Sequence, residues 1–286
     1  MKIKKISALV AAAALACGLS VPASAVTLVG GDLKITFNAY DAGTIGYGNT
    51  NGIKCNSVAT CNAVPGITPS PNAWVGGEDT WGIFSVQSIT RVSNGAAIYT
   101  AGQSGEYLTG MFGGISDTYA EVSGFIAPAT QTLGTGGWLN MYSNTVNYNS
   151  AFGPSGRLGQ YGYNGITNLG GTLAMSALFG SGALGGFSQY SYVSNFSNAT
   201  LGGGGLGYLD VIGGSLGTLF NTNEQFDPNG GAHDLSFGVT YTKSSAAGWK
   251  VNASGNAEGN AIPEPASLAL FGLGLAGIAC LRRRKA

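Results

Sequence analysis

Apolar and polar residues alternate with period two along much of the chain. Leu33-Lys34-Ile35-Thr36-Phe37-Asn38-Ala39-Tyr40 alternates throughout, and the stretch from Ile83 to Val92 does so in its second half. Such alternation predicts strands with one buried face and one wet face. Further strands are predicted over Tyr107 to Phe112, Tyr119 to Ile126, Gly137 to Tyr142, Thr172 to Phe179, Ser188 to Phe196, Tyr208 to Ile212, Asp234 to Tyr241 and Gly248 to Val251. Glycine and asparagine clusters separate most of them, and no segment of this core sustains a helical stripe. About ten short strands divided by turn signals predict an all-β fold, an antiparallel β-sandwich or jelly roll. The glycine pairs, such as Gly113-Gly114 and Gly213-Gly214, have no fixed period, which argues for turns and bulges rather than a repeat solenoid.

Both ends break this pattern. Lys2, Lys4 and Lys5 precede an apolar run from Ile6 to Leu19, and Pro22 precedes the small-residue site Ala23-Ser24-Ala25. This is the layout of a signal peptide with its helix, residues 1–25, cut by signal peptidase. At the other end, Asn252 to Ala261 is small and polar and is expected to be a flexible, exposed spacer. Then come Ile262-Pro263-Glu264-Pro265, an apolar run over 266–281, and Arg282-Arg283-Arg284-Lys285. The two prolines fix their own φ and push the preceding residue toward extended geometry. Sixteen apolar residues make a helix of about 24 Å, short for a ~30 Å hydrocarbon core. The four basic residues extend its reach by snorkelling and favour a cytoplasmic C-terminus. The expected division is therefore signal peptide 1–25, β domain 26–251, spacer 252–261 and tail 262–286, with a transmembrane helix over 266–281 and a basic stop over 282–285.

A Pro-Glu-Pro motif, an apolar helix and a basic stop, in that order at the C-terminus, resemble the PEP-CTERM sorting tail of Gram-negative bacteria. The resemblance covers about a tenth of the chain, with Ile262 where valine is commoner. It implies that Pro263, Glu264 and Pro265 are recognised by an exosortase, a multi-spanning membrane enzyme. The protein would be held transiently in the inner membrane, then sorted to the cell surface or extracellular matrix. Such tails occur in bacteria that make extracellular polysaccharide and form biofilms or flocs.

The whole chain is neutral, but both ends are basic. Between Val26 and Ile262 six basic residues face twelve acidic ones, a net charge of about −6. A sparse acidic surface does not attract phosphate backbones, so nucleic acid is not an expected partner. Charged residues are only 9% of the chain, yet 13 Tyr, 12 Phe and 4 Trp supply a core, so solubility must come from amides and hydroxyls. In the β domain the cysteines are Cys55 and Cys61, six positions apart, which predicts a disulfide in an oxidising compartment. A zinc site would need further soft ligands, and the single histidine, His233, is distant in sequence.

Candidate chemistry is sparse. Gly213-Gly214-Ser215-Leu216-Gly217 matches the Gly-x-Ser-x-Gly elbow, and Ser215, Asp227 and His233 fall in hydrolase order. The elbow needs a following helix on an α/β sheet, which this pattern lacks, so the match reads as chance. Glu78, Asp79 and Glu106 are carboxylates that a glycosidase could pair. Asp227, Asn229 and Asp234 offer oxygens for calcium, against an ordinary Asx turn as the plainer reading. Glu78-Asp79 in Gly77-Glu78-Asp79-Thr80-Trp81 reads first as a corner carboxylate bonding turn amides. Tyr142, Tyr148, Tyr161, Tyr163, Tyr190 and Tyr192 could present faces to sugars, and Asn195, Asn198 and Asn252 match the glycosylation pattern. No cofactor and no catalytic set are expected. The expectation is an exported, non-enzymatic structural or adhesive component of extracellular polymer. A carbohydrate-binding module on the same scaffold is the alternative, and a secreted hydrolase comes third.

Overall fold

A computed structural model describes residues 32–43, 53–63, 72–74, 78–123, 129–197, 200, 202–246 and 248–259. The strands are β1 (Leu33–Asp41), β2 (Ile53–Cys55), β3 (Thr80–Arg91), β4 (Ala97–Thr100), β5 (Tyr107–Ser123), β6 (Ala129–Asn144), β7 (Arg157–Gly159), β8 (Gly162–Tyr163), β9 (Thr172–Gly180), β10 (Tyr192–Ser197), β11 (Gly202–Gly213), β12 (Gln225–Phe226), β13 (Ala232–His233), β14 (Leu235–Lys243) and β15 (Val251–Glu258). Among the described residues, two short helices, α1 (Val58–Asn62) and α2 (Gly217–Phe220), and four 3₁₀ turns complete the regular elements.

The fold is all-β and antiparallel, but it is a barrel rather than a sandwich. Eight strands close a ring in the order β1, β3, β5, β6, β9, β11, β14 and β15, and β15 pairs back to β1. One stave is split. β9 bridges the upper halves of β6 and β11, and β10 bridges their lower halves. Alternation cannot separate the two architectures, because a sandwich and a barrel both turn every second residue inward. The closing contact is the β5–β6 hairpin, whose register runs from Tyr107↔Asn144 to Ser123↔Ala129. It joins the two ends of what would otherwise be an open sheet.

Two further expectations change. Tyr107 to Phe112 and Tyr119 to Ile126 are not two strands: β5 runs 17 residues without a break through Gly113-Gly114. The expected spacer is largely strand, since β15 pairs with both β14 and β1 and completes the ring. Its side chains read as spacer because they are small: Ala253 and Ala257 face the barrel interior. The signal segment and residues 266–281 lie outside the described residues. Among the described residues no helix is long and apolar enough to cross a membrane.

Many glycines are strand residues rather than turn residues. Across the ladders, inward aromatic rings sit opposite glycines: Phe84 opposite Gly110, Phe112 opposite Gly82, Phe196 opposite Gly203, Phe237 opposite Gly207 and Phe37 opposite Gly255. A Cβ at Gly110 would lie 2.5 Å from Phe84 Cζ, and one at Gly82 would lie 2.6 Å from Phe112 Cζ. The ring fills the volume that the neighbouring side chain vacates, so a narrow barrel can hold aromatics at close packing. Inside the ring lies a void of about 80 Å³, lined chiefly by apolar side chains.

A second core lies outside the ring. Trp81, Ile83, Met111 and Trp138 point outward from β3, β5 and β6. The excursion between β6 and β9 covers them with Tyr163 and Ile166, and Trp249 joins from the turn before β15. Asn144 fastens this excursion by donating to Thr109 Oγ1 and the Ile166 carbonyl at 2.9 and 3.2 Å. Cys55 and Cys61 form the expected disulfide, which ties β2 to α1 over Ala120 and Val122 of β5.

Candidate functional site

The outer faces of β10, β11, β14, β15 and β1 form a trough of about 690 Å³. Its walls carry Thr36, Asn38, Asn195, Thr240, Ser254 and Asn256, and Gly204 and Gly238 line its floor. These are the outward positions of strands whose inward positions hold Ile35, Ala39, Ala253 and Ala257. No charged side chain lines it. Thr36 donates to Asn256 Oδ1 at 3.0 Å. A Cβ on Gly238 would meet nothing within 4 Å, so the trough stands open there. Such a surface offers amide and hydroxyl groups of both polarities to a neutral polar ligand.

The predicted acidic residues divide among separate roles. Glu78 accepts from Trp74 N at 2.8 Å and Gly114 N at 2.6 Å, and pairs with Arg157 from the covering excursion. Arg157 also lies 4.5 Å above the Trp81 ring. The corner-carboxylate reading therefore describes Glu78, with Arg157 as a partner that sequence spacing did not indicate. Asp79 accepts from Asp117 N at 2.9 Å. Glu106 is exposed and accepts from Ser143 Oγ at 2.6 Å. It adjoins Tyr107, whereas Glu78 binds at Gly114, roughly 25 Å further along the strand. The structure does not bring these two together.

The 227–234 loop is stapled from within. Asp227 Oδ1 accepts from Asn229 N at 2.6 Å and Gly231 N at 2.9 Å, an Asx turn. Asn229 spans to the neighbouring loop, donating to the Gly182 and Leu184 carbonyls and accepting from Gly186 N. Asp234 accepts from Val211 N, Thr222 N and Asn223 N at 2.6, 2.6 and 2.8 Å. The three oxygen-bearing side chains proposed for calcium are thus occupied by amide hydrogens. Among the described residues no group of three or more His, Cys, Asp or Glu side chains is arranged to hold a metal.

His233 sits between two carboxylates, Nδ1 2.8 Å from Asp210 and Nε2 3.3 Å from Asp227, with Tyr208 stacked on its ring at 5.0 Å. Burial works against its charge, but the bonds to Asp210 and Asp227 outweigh it and raise its pKa above 6.5. Ser215 is followed by one helical turn, α2, yet both ring nitrogens of His233 face carboxylates and Ser215 is not among its partners.

Of the candidate sugar-facing tyrosines, Tyr163 and Tyr192 are buried, and Tyr142 and Tyr148 pack against the outer core. Tyr161 is exposed and meets Trp138 edge-on at 4.7 Å. Trp74, 57% exposed, lies over Gly159 of the same β7–β8 hairpin. Asn195 projects from β10 into the trough, Asn252 lies in β15, and Asn198 falls outside the described residues.

One grouping was not visible in the sequence. At the β10 end of the barrel, Asp41, Thr80, Asp117, Thr132, Tyr192 and Ser194 line a small interior cavity of about 40 Å³. Burial pushes the Asp41 carboxyl up to about 7, against a lowering bond from Gly43 N. Burial, then the charges of Asp79 and Asp41, raise Asp117 well above the usual carboxylate range. Asp41 is in phase with inward Ala39 on β1, a period that marks one inward carboxylate but not the strands that meet it.

Pro263, Glu264, Pro265 and the basic stop Arg282, Arg283, Arg284 and Lys285 lie outside the described residues. Neither the curated proteins nor the solved structures include a match to this chain. Residues 261–285 match the PEP-CTERM protein-sorting motif, which supports an exported chain, held for a time at the membrane and processed by an exosortase-type enzyme.

Proposed function

We propose that this chain is an adhesive component of extracellular polymer, carried to the cell surface or matrix by its sorting tail. The observation that supports this reading is the uncharged trough across β10, β11, β14, β15 and β1. A neutral polysaccharide presents hydroxyls in both donor and acceptor roles. Asn38, Asn195, Thr240 and Ser254 match that chemistry, and the glycine floor lets a sugar ring approach the backbone. On this reading the barrel is a non-catalytic passenger, and absence of turnover on a broad panel of glycoside and ester substrates is expected.

A carbohydrate-binding module is the narrower reading. Exposed Trp74 and Tyr161 beside the β7–β8 hairpin favour it, because aromatic faces stack on sugar rings. Binding isotherms on polysaccharide purified from the producing organism separate the two. Saturable binding at fixed stoichiometry, lost on Trp74→Ala or Tyr161→Ala, selects the module. Graded association weakened by Asn38→Ala and Asn195→Ala selects the adhesive surface. No association with the polysaccharide overturns both.

A further inference from the structure

The cavity at the β10 end of the barrel gathers polar side chains from six strands. Asp41 comes from β1, Thr80 from β3, Asp117 from β5, Thr132 from β6, Tyr192 and Ser194 from β10, and Tyr241 from β14. The polar side chains lining it carry oxygen alone, and no lysine, arginine or histidine is among them. Asp117 is 4% exposed. Its backbone N–H is bonded to Asp79, but among the described residues its carboxyl accepts no hydrogen bond. Asp41 receives one, from Gly43 N. Tyr192 is 6% exposed, and Thr132 and Ser194 bond each other. A buried carboxyl without a donor or counter-charge is costly, and this cavity holds two carboxyls facing one space.

We infer that this cavity is a binding site for a hard divalent cation of the calcium class. Two carboxylates balance its charge. Up to four carboxylate oxygens, together with Thr80, Thr132, Ser194 and Tyr192, supply the six to eight oxygens that calcium takes. A cavity of about 40 Å³ accommodates a bare ion but not an amine carrying a hydrocarbon tail. The donor set does not overlap the 227–234 loop, whose oxygens are already bonded to amides. Bound there, the ion would tie β1, β3, β5, β6 and β10 together at one end of the ring.

The test uses the full chain in detergent, stripped with EDTA and dialysed at pH 8. Calcium binding is followed by calorimetry, and thermal unfolding is recorded with and without the ion. Terbium provides a second readout, through emission sensitised by Tyr192 and Tyr241. One ion per chain and a raised Tm are expected at millimolar calcium, the range of extracellular modules. Asp117→Asn and Asp41→Asn should each weaken binding about tenfold or more, while Asp227→Asn leaves it unchanged. Circular dichroism of each variant separates lost binding from lost fold, and either folded variant suffices. Absence of binding to the parent protein, binding unchanged in both variants, or binding lost only in Asp227→Asn overturns the inference.

Discussion

Arg157 and Glu78 form a two-pronged ion pair on the outer wall of the barrel, with Nη1–Oε2 at 2.6 Å and Nη2–Oε1 at 3.1 Å. Both side chains are almost wholly buried. The pair joins the start of the β3 segment to the excursion that covers Trp81. Removing one partner strands the other in a dry site. Arg157→Met should therefore lower unfolding stability by about 3–5 kcal/mol, measured by urea denaturation, with Trp81 fluorescence shifting to the red. The double variant Glu78→Gln with Arg157→Met should recover part of that loss. Equal losses in the single and double variants would mean that the pair acts through packing alone.

Gly238 offers a way to block the trough without disturbing the wall. A side chain there projects into open space. Gly238→Phe should retain the strand signal in circular dichroism and fold with a Tm near that of the parent. Polysaccharide association should fall sharply. Unimpaired association in a folded variant would move the adhesive surface elsewhere.

His233 is the single histidine of the chain, so its imidazole resonances can be followed by NMR without assignment ambiguity. Its pKa in the folded protein should lie above 6.5, because Asp210 and Asp227 favour the charged ring. The sign follows from linkage. A raised folded pKa contributes stability that is full below pH 6.5 and fades as pH rises through the folded value. Local opening of the 227–234 loop, read by amide exchange, should accelerate over that interval. His233→Gln should remove this dependence, and a folded pKa at or below 6.5 would contradict the bridged arrangement.

The sorting motif makes its own prediction. Replacing Pro263, Glu264 and Pro265 with alanine should leave the protein in the inner-membrane fraction, as judged by fractionation and immunoblotting. Release equal to that of the parent chain would show that Pro-Glu-Pro is not what the processing enzyme reads.

Much of the ring was legible from alternation. β1, β9 and β14 lie within two residues of their expected bounds, because each has a dry and a wet face. The Cys55–Cys61 link was legible because a short loop between cysteines leaves few alternatives. Gly202 to Gly205 were not legible as strand, since their role depends on rings elsewhere: a Cβ on Gly203 would strike Phe196, and one on Gly205 would strike Tyr192. Barrel closure depends on β5 meeting β6 and β15 meeting β1, pairings that leave no mark on local periodicity. The partner of Glu78 lies 79 positions away, and Asp41 and Asp117 share a cavity only because β1 and β5 flank β3. Contacts of that range are set by ladder register, not by neighbouring residues.

The fastening of β15 to β1 has a consequence for the order of events during export. Gly259 N donates to the Leu33 carbonyl at 3.0 Å, and Lys34 meets Glu258 at 2.8 Å. Pro263 follows four residues later, a reach of at most about 14 Å whatever its course. The last stave of the ring therefore emerges from the membrane immediately before the sorting motif. For a chain that crosses unfolded, the ring closes only after nearly all of it has crossed, and closure then holds Leu33 within that reach of Pro263. An enzyme acting at Pro-Glu-Pro meets either a folded barrel within a few residues of its cut or a chain whose final strand is still free.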